Sequence, residues 1–338
     1  MSTSDNRKAA LKKIRLLSYT SKMNVNSFRK KIEDAFYCPI LPNKVERSEH
    51  NYGGVNCDVL SPELYSSKRV MFYVHGGSFV GGSRASYRGF CSILANRTFS
   101  RVVVPEYRLA PTYAFPSAIE DIQSVFRALF TEEQIARSLD STVDETGKKQ
   151  EILPEFIIAA DGAGASIVMA LLLNLRERYR KCIKKVILLS PWLNLSPNST
   201  LFSQKKVQDE VLSKEVLQQS AEVYTYSSNL ENPLVSPLLA SPEQLVGFPS
   251  TYIQAGEKEI LLDDAKSFNS LLHGCGVDSK LDIFPGMMHQ FQLAEGYLEA
   301  SHEALGKIAE QVSGIGESVE RQTYENKPRL EQSLKAEA

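Results

Sequence analysis

Residues suited to acyl transfer recur at four places in this chain, each just after an apolar run. His75-Gly76-Gly77-Ser78 comes first. Glycines there let backbone N–H groups converge on one point without side-chain obstruction, as the stabilisation of a developing oxyanion requires. Ala160-Asp161-Gly162-Ala163-Gly164-Ala165 comes second. One apolar run enters it and another leaves it, the pattern of a sharp strand-to-helix turn that lifts one residue above a sheet. The lifted position ordinarily holds a nucleophile, but here it is Gly162, which has no atom with which to attack a carbonyl. Ala255-Gly256-Glu257-Lys258-Glu259 then offers carboxylates, and Pro285-Gly286-Met287-Met288-His289 offers an imidazole. Turn, acid and histidine follow one of the chain orders in which hydrolytic triads occur.

These positions need a rigid frame, and the apolar pattern supplies one. Short apolar runs at 70–74, 102–104, 156–159, 186–189, 251–254 and 281–284 read as strands, with helix-like segments between most of them. Solid apolar strands separated by helices indicate a mainly parallel sheet covered on both faces. Residues 44–60 read as a β-hairpin turning at Tyr52-Gly53-Gly54. The first 40 residues, lysine-rich with spaced apolar residues, read as one or two amphipathic helices. Residues 131–150 are polar and read as a surface excursion, and 195–249 as a long, partly helical insert of the kind that forms a cap. The expected organisation is a helical cap segment at 1–43, the main domain at 44–312 interrupted by the insert, and a charged, frayed tail at 313–338.

Bulk properties narrow the function. A net charge of −1 gives no broad attraction to nucleic acid or anionic membrane. No run approaches the length of a membrane span, and the lysine-bearing start lacks the apolar core of a secretory signal. The five cysteines are scattered without a C-x-x-C pair, so free thiols in a reducing, cytoplasmic setting are expected, with no metal site.

Further motifs fall in order around the four segments: Tyr107-Arg108-Leu109-Ala110-Pro111, Phe115-Pro116, Ser190-Pro191-Trp192 and Ser236-Pro237-Leu238. With them the chain resembles the hormone-sensitive-lipase-like carboxylesterases of the α/β-hydrolase superfamily, over roughly residues 68–312. The resemblance implies an α/β-hydrolase fold, a mainly parallel sheet of about eight strands flanked by helices, with a helical cap. It implies hydrolysis of small acyl esters without a cofactor. Carried over, it makes Gly76, Gly77 and the N–H of Ala163 oxyanion donors, His289 the general base and Glu259 its acid. Asp161, His75 and Ser78 become supporting residues. The departures cluster at the chemistry: Gly162 in place of serine, Ser78 in place of a third glycine, Asn194 in place of an aspartate.

Glycine reaches the strained backbone of such a turn more easily than serine does, so its loss of function need not harm the fold. The leading expectation is therefore an esterase-like protein, impaired in catalysis, that keeps a pocket for an acyl ester or acid. Two alternatives stay open: a working hydrolase using His289-activated water or another serine, and a non-catalytic scaffold. Ser166 reads as a helix-start hydroxyl bonded to nearby backbone, Ser78 as a turn-stabilising hydroxyl, and Asp263 and Asp264 as charges at a helix N-terminus. His50, His273 and His302 read as surface residues. The ligand and any homodimer are left open.

Overall fold

The computed structural model describes residues 3–42, 44–65, 69–140, 153–203 and 209–313. The frayed tail expected at 313–338 falls outside them from residue 314 onward, as do residues 141–150 of the polar stretch. Eight strands form one sheet: β1 (Val45–Tyr52), β2 (Val55–Pro62), β3 (Arg69–Val74), β4 (Arg101–Pro105), β5 (Glu155–Asp161), β6 (Ile183–Leu189), β7 (Thr251–Gly256) and β8 (Ser279–Phe284). Their order is β1-β2-β4-β3-β5-β6-β7-β8. The hairpin β1–β2 and the β2–β4 pair are antiparallel, and the remaining pairs are parallel.

Alternation along the strands divides the core in two. Val70, Phe72 and Val74 of β3 join one apolar cluster, while Met71 and Tyr73 join the other. Helices α1 (Thr3–Ile14), α2 (Val25–Phe36) and α3 (Arg84–Thr98) lie on the second face, with the helix Glu299–Ser313. Helices α4 (Ser117–Asp140) and α5 (Ala163–Asn174) cover the first, with the helix Leu262–Gly274. Parallel strands need both faces covered because the crossover helices lie on both sides, which explains their unbroken apolar runs. Among the described residues, no helix is long and apolar enough to cross a membrane. All five cysteines are free thiols.

Two local expectations change. Part of the polar stretch at 131–150 is helix, because α4 runs on to residue 140. Glu133 and Arg137 are buried there, with Glu133 held between Arg137 and Arg101. Opposite charges one helical turn apart let the polar sequence pack inward instead of forming a loop. The second change concerns Asp264. It stands in the first helical turn as expected, yet its side chain points inward and its Oδ2 accepts the backbone N–H groups of Leu193 (3.2 Å) and Asn194 (3.0 Å). It anchors the loop that leaves β6.

The insert at 195–249 is built of short helical pieces, of which Lys214–Tyr224 is the longest. The N-terminal segment lies against it. Arg15 Nε donates to Glu210 O at 2.7 Å, Arg7 pairs with Glu210, and the N–H of Ser21 donates to Gln219 at 3.0 Å. Helix α2 pins the loops after β3 and β4, with Arg29 donating to the carbonyls of Val80 (2.8 Å) and Ala110 (3.0 Å).

Burial raises the Asp264 carboxyl to about 7 against an ordinary value of 3.8. The folded state therefore holds this proton more tightly than the unfolded chain between about pH 4 and 7. Stability from this group is present at the acid end and lost as pH rises through that window. Urea unfolding at pH 5 and pH 7.5 is expected to show a smaller loss of stability for Asp264→Asn than for the wild type. Asp264→Ala strands two buried N–H groups and is expected to cost about 2–5 kcal/mol.

Candidate active site

The turn between β5 and α5 is built around two glycines with different tasks. Gly162 has φ 46° and ψ −120°, a conformation that side chains rarely adopt. Its N–H donates to Leu189 O (3.0 Å) and its carbonyl accepts from Trp192 N (3.0 Å), so the turn is tied to the loop after β6. Gly164 has an ordinary φ but no room, since an added β-carbon would lie 2.4 Å from Val74 O. The start of α5 therefore packs directly on the end of β3.

Asp161, the last residue of β5, is fully buried and accepts four hydrogen bonds. Oδ1 takes the hydroxyl of Tyr73 (2.7 Å) and the N–H of Gly76 (3.0 Å). Oδ2 takes the hydroxyl of Tyr87 (2.8 Å) and the side-chain amide of Gln290. Burial pushes its carboxyl up to about 6, and these donors pull in the other direction.

This arrangement corrects the expected donor set. The N–H of Gly76 is directed at Asp161 and is not free to meet an oxyanion. The N–H groups of Gly77 and Ala163 have no hydrogen-bond acceptor among the described residues, and both residues line a cavity at the turn. The positive end of α5 faces the same space.

His75 lies between the rings of Tyr107 and Tyr87, with centroids 4.4 and 5.0 Å away. Burial lowers it to about 4, so the ring is neutral. Its Nδ1 is 2.8 Å from Gly76 O, which can only accept, so Nδ1 carries the proton and donates. Ser78 does more than stabilise its turn. Its hydroxyl donates to Leu17 O (3.1 Å) and accepts from Tyr19 N (3.3 Å), clamping the N-terminal segment across the loop. Ser166 bonds backbone as expected, but the partner is distant in sequence: its hydroxyl donates to Trp192 O at 2.5 Å.

His289 and Glu259 come together on adjacent loops. Nδ1 of His289 is 3.4 Å from Glu259 Oε2, and both residues are buried. Glu259 Oε1 accepts from Ser190 Oγ (2.7 Å) and Gly256 N (2.5 Å). Burial pushes the Glu259 carboxyl up against the pull of His289. The opposite ring nitrogen of His289 faces the turn: a β-carbon built on Gly162 would lie 3.7 Å from Nε2.

Sequence reasoning passed over two contributors. Ser190 was read only as part of a motif, yet its hydroxyl joins Glu259 to the N–H of Gln290 at 3.0 Å. Gln290 carried no signal beyond standing next to His289. Among the described residues, no cluster of three or more His, Cys, Asp or Glu is arranged to hold a metal ion.

The cavity is small, about 20 Å³, enough for about one water. Leu17 and Ser18 of the N-terminal segment close it with Leu212 and Leu217 of the insert. A larger hollow of about 600 Å³ lies on the insert, lined by residues such as Leu195, Ala221 and Tyr226, and none of the candidate site residues borders it.

Comparison with known proteins agrees with this fold. A family model described as the alpha/beta hydrolase fold matches residues 71–293. An esterase of Acinetobacter venetianus is 33% identical over 247 residues, covering 72% of this chain and 75% of that protein. An acetyl-hydrolase of Streptomyces hygroscopicus is 28% identical over 222 residues, covering 65% and 67% respectively. The crystal structure of an esterase from the bacterial hormone-sensitive lipase family superposes with a TM-score of 0.77 at 26% identity, covering 92% of this chain and 98% of that one. The chain belongs to the alpha/beta hydrolase fold family, among the esterases related to hormone-sensitive lipase.

Proposed function

We propose that this protein is an esterase-type hydrolase whose attack step is impaired because Gly162 stands at the nucleophile's position. The observation that carries the reading is the 3.7 Å between His289 Nε2 and the point where a β-carbon on Gly162 would lie. A hydroxyl one bond further out would come within hydrogen-bond reach of the imidazole. The base and its acid are thus placed around a missing side chain. Oxyanion stabilisation falls to the N–H groups of Gly77 and Ala163, with Gly76 excluded by its bond to Asp161. His75, Ser78 and Asp161 hold the loop that carries these donors.

The ligand class that fits is a small acyl ester or its carboxylic acid, whose oxygen would take the two free N–H groups. Leu17, Ser18, Leu212 and Leu217 line the space such a ligand would enter, and an acyl group larger than about one water needs them to shift. In this reading residues 1–43 and 195–249 act together as the cap. The same water-sized space beside His289 supports a second reading, slow hydrolysis by water that the imidazole activates directly. Without a serine such a site keeps only the roughly 10³–10⁴-fold acceleration over water that donors and binding supply.

Hydrolysis of p-nitrophenyl acetate, butyrate and hexanoate checks this. The wild type is expected to stay within that residual range, and Gly162→Ser to gain turnover that a further His289→Ala removes. Robust wild-type turnover abolished by His289→Ala would overturn the impaired reading. Ser166→Ala is expected to leave hydrolysis unchanged while lowering stability by about 1 kcal/mol, from the lost bond to Trp192 O. A matching loss of wild-type turnover would instead identify Ser166 as the nucleophile.

A further inference from the structure

We infer that Gln290 occupies the nucleophile's place, so that its carboxamide and a side chain at position 162 exclude one another. The inference rests on the reading that Gly162 stands at the nucleophile position. Gln290 is buried, with only 2% of its surface exposed. Its backbone sits at φ 52° and is fixed by the bond from its N–H to Ser190 Oγ. From that anchor the side chain reaches back over the turn, and Nε2 donates to Asp161 Oδ2.

The space it fills is the space a side chain would need. A β-carbon on Gly162 would lie 2.6 Å from Nε2 of Gln290 and 3.4 Å from its Cδ. On Gly76, across the same carboxamide, a β-carbon would lie 2.8 Å from Nε2. Real β-carbons essentially never show contacts this close, so a side chain at 162 requires the amide, the far end of a flexible side chain, to move from its place.

The carboxamide is also poorly free to leave. It supplies one of the four hydrogen bonds on a buried carboxylate, and withdrawing it leaves an acceptor short of a donor. Gly162 and Gln290 therefore form a coupled pair: glycine makes room for the amide, and the amide completes the shell of Asp161. Gln290 is a positioning residue that holds the turn in its empty form. Restoring a hydroxyl at 162 alone forces either the amide off Asp161 or the hydroxyl away from His289.

A two-by-two comparison of the full-length chain tests this, using wild type, Gly162→Ser, Gln290→Ala and the double variant. Covalent labelling by an alkyl fluorophosphonate reads the hydroxyl's access to His289, with an Oγ–P bond formed and fluoride released. The double variant is expected to label at least about tenfold faster than Gly162→Ser, and the ratio to persist in p-nitrophenyl acetate turnover. Melting temperature supplies an independent reading that a blocked reagent would not affect. The drop caused by Gly162→Ser is expected to shrink by a few degrees in the Gln290→Ala background. Measurable labelling at equal rates in the single and double variants overturns the inference. Should neither label, additive melting shifts overturn it and non-additive shifts uphold it. His289-dependent turnover in the wild type would refute the impaired-esterase reading separately, without deciding whether Gln290 blocks position 162.

Discussion

A buried carboxylate with four donors is the interaction on which the site depends. Asp161 receives hydrogen bonds from β3 through Tyr73, from the following loop through Gly76, from α3 through Tyr87, and from the His289 loop through Gln290. An uncompensated carboxylate at this depth would cost far more than any one of these bonds returns, so the four segments are bound to a common position. All four donors are far from Asp161 in sequence. The carboxylate fixes the distance between the loop after β3 and the turn more firmly than apolar packing could, because hydrogen bonds are directional and apolar contacts are not.

A second polar joint works in the same manner one strand further on. Ser190 donates to Glu259 and accepts from Gln290 N, while Glu259 also accepts from Gly256 N and faces His289. The loops after β6, β7 and β8 thereby move as one body. Asp264 adds two more bonds from the first turn of its helix to the loop after β6. These joints lie at the carboxyl ends of parallel strands, where α/β sheets gather their functional residues. The hydrogen bonds thus tie these loops to one another.

The cover above the turn is built differently. The N-terminal segment is held to the insert largely by bonds to Glu210, Val211 and Gln219, and to the oxyanion loop by Ser78. Its inner surface is apolar, with Leu17, Leu212 and Leu217 meeting over the cavity. The segment's Ala10, Leu11, Ile14 and Leu17 are buried in the second apolar cluster, so packing as well as hydrogen bonding holds it in place.

Much of this was legible in the residues. Strand runs, the Gly53-Gly54 hairpin and the order of the chemistry-bearing loops follow from periodicity, turn chemistry and spacing, which are properties of short segments, whereas the pairing of His289 with Glu259 was implied only by the family resemblance. The identity of Gly162 at a strand-to-helix turn was equally a matter of sequence. Other features had no local signature. Whether Gly76 points its N–H at a cavity or at Asp161, whether Asp264 faces solvent or the Leu193 amide, and whether polar residues 131–140 pack as helix depend on partners distant in the chain. The size of the cavity and the place of the Gln290 side chain belong to the same class. The sequence by itself determined which groups are available and in what order they arrive. Only the tertiary structure decided which N–H is spent on which carboxylate, because a buried hydrogen bond is settled by competition among donors that folding alone brings together.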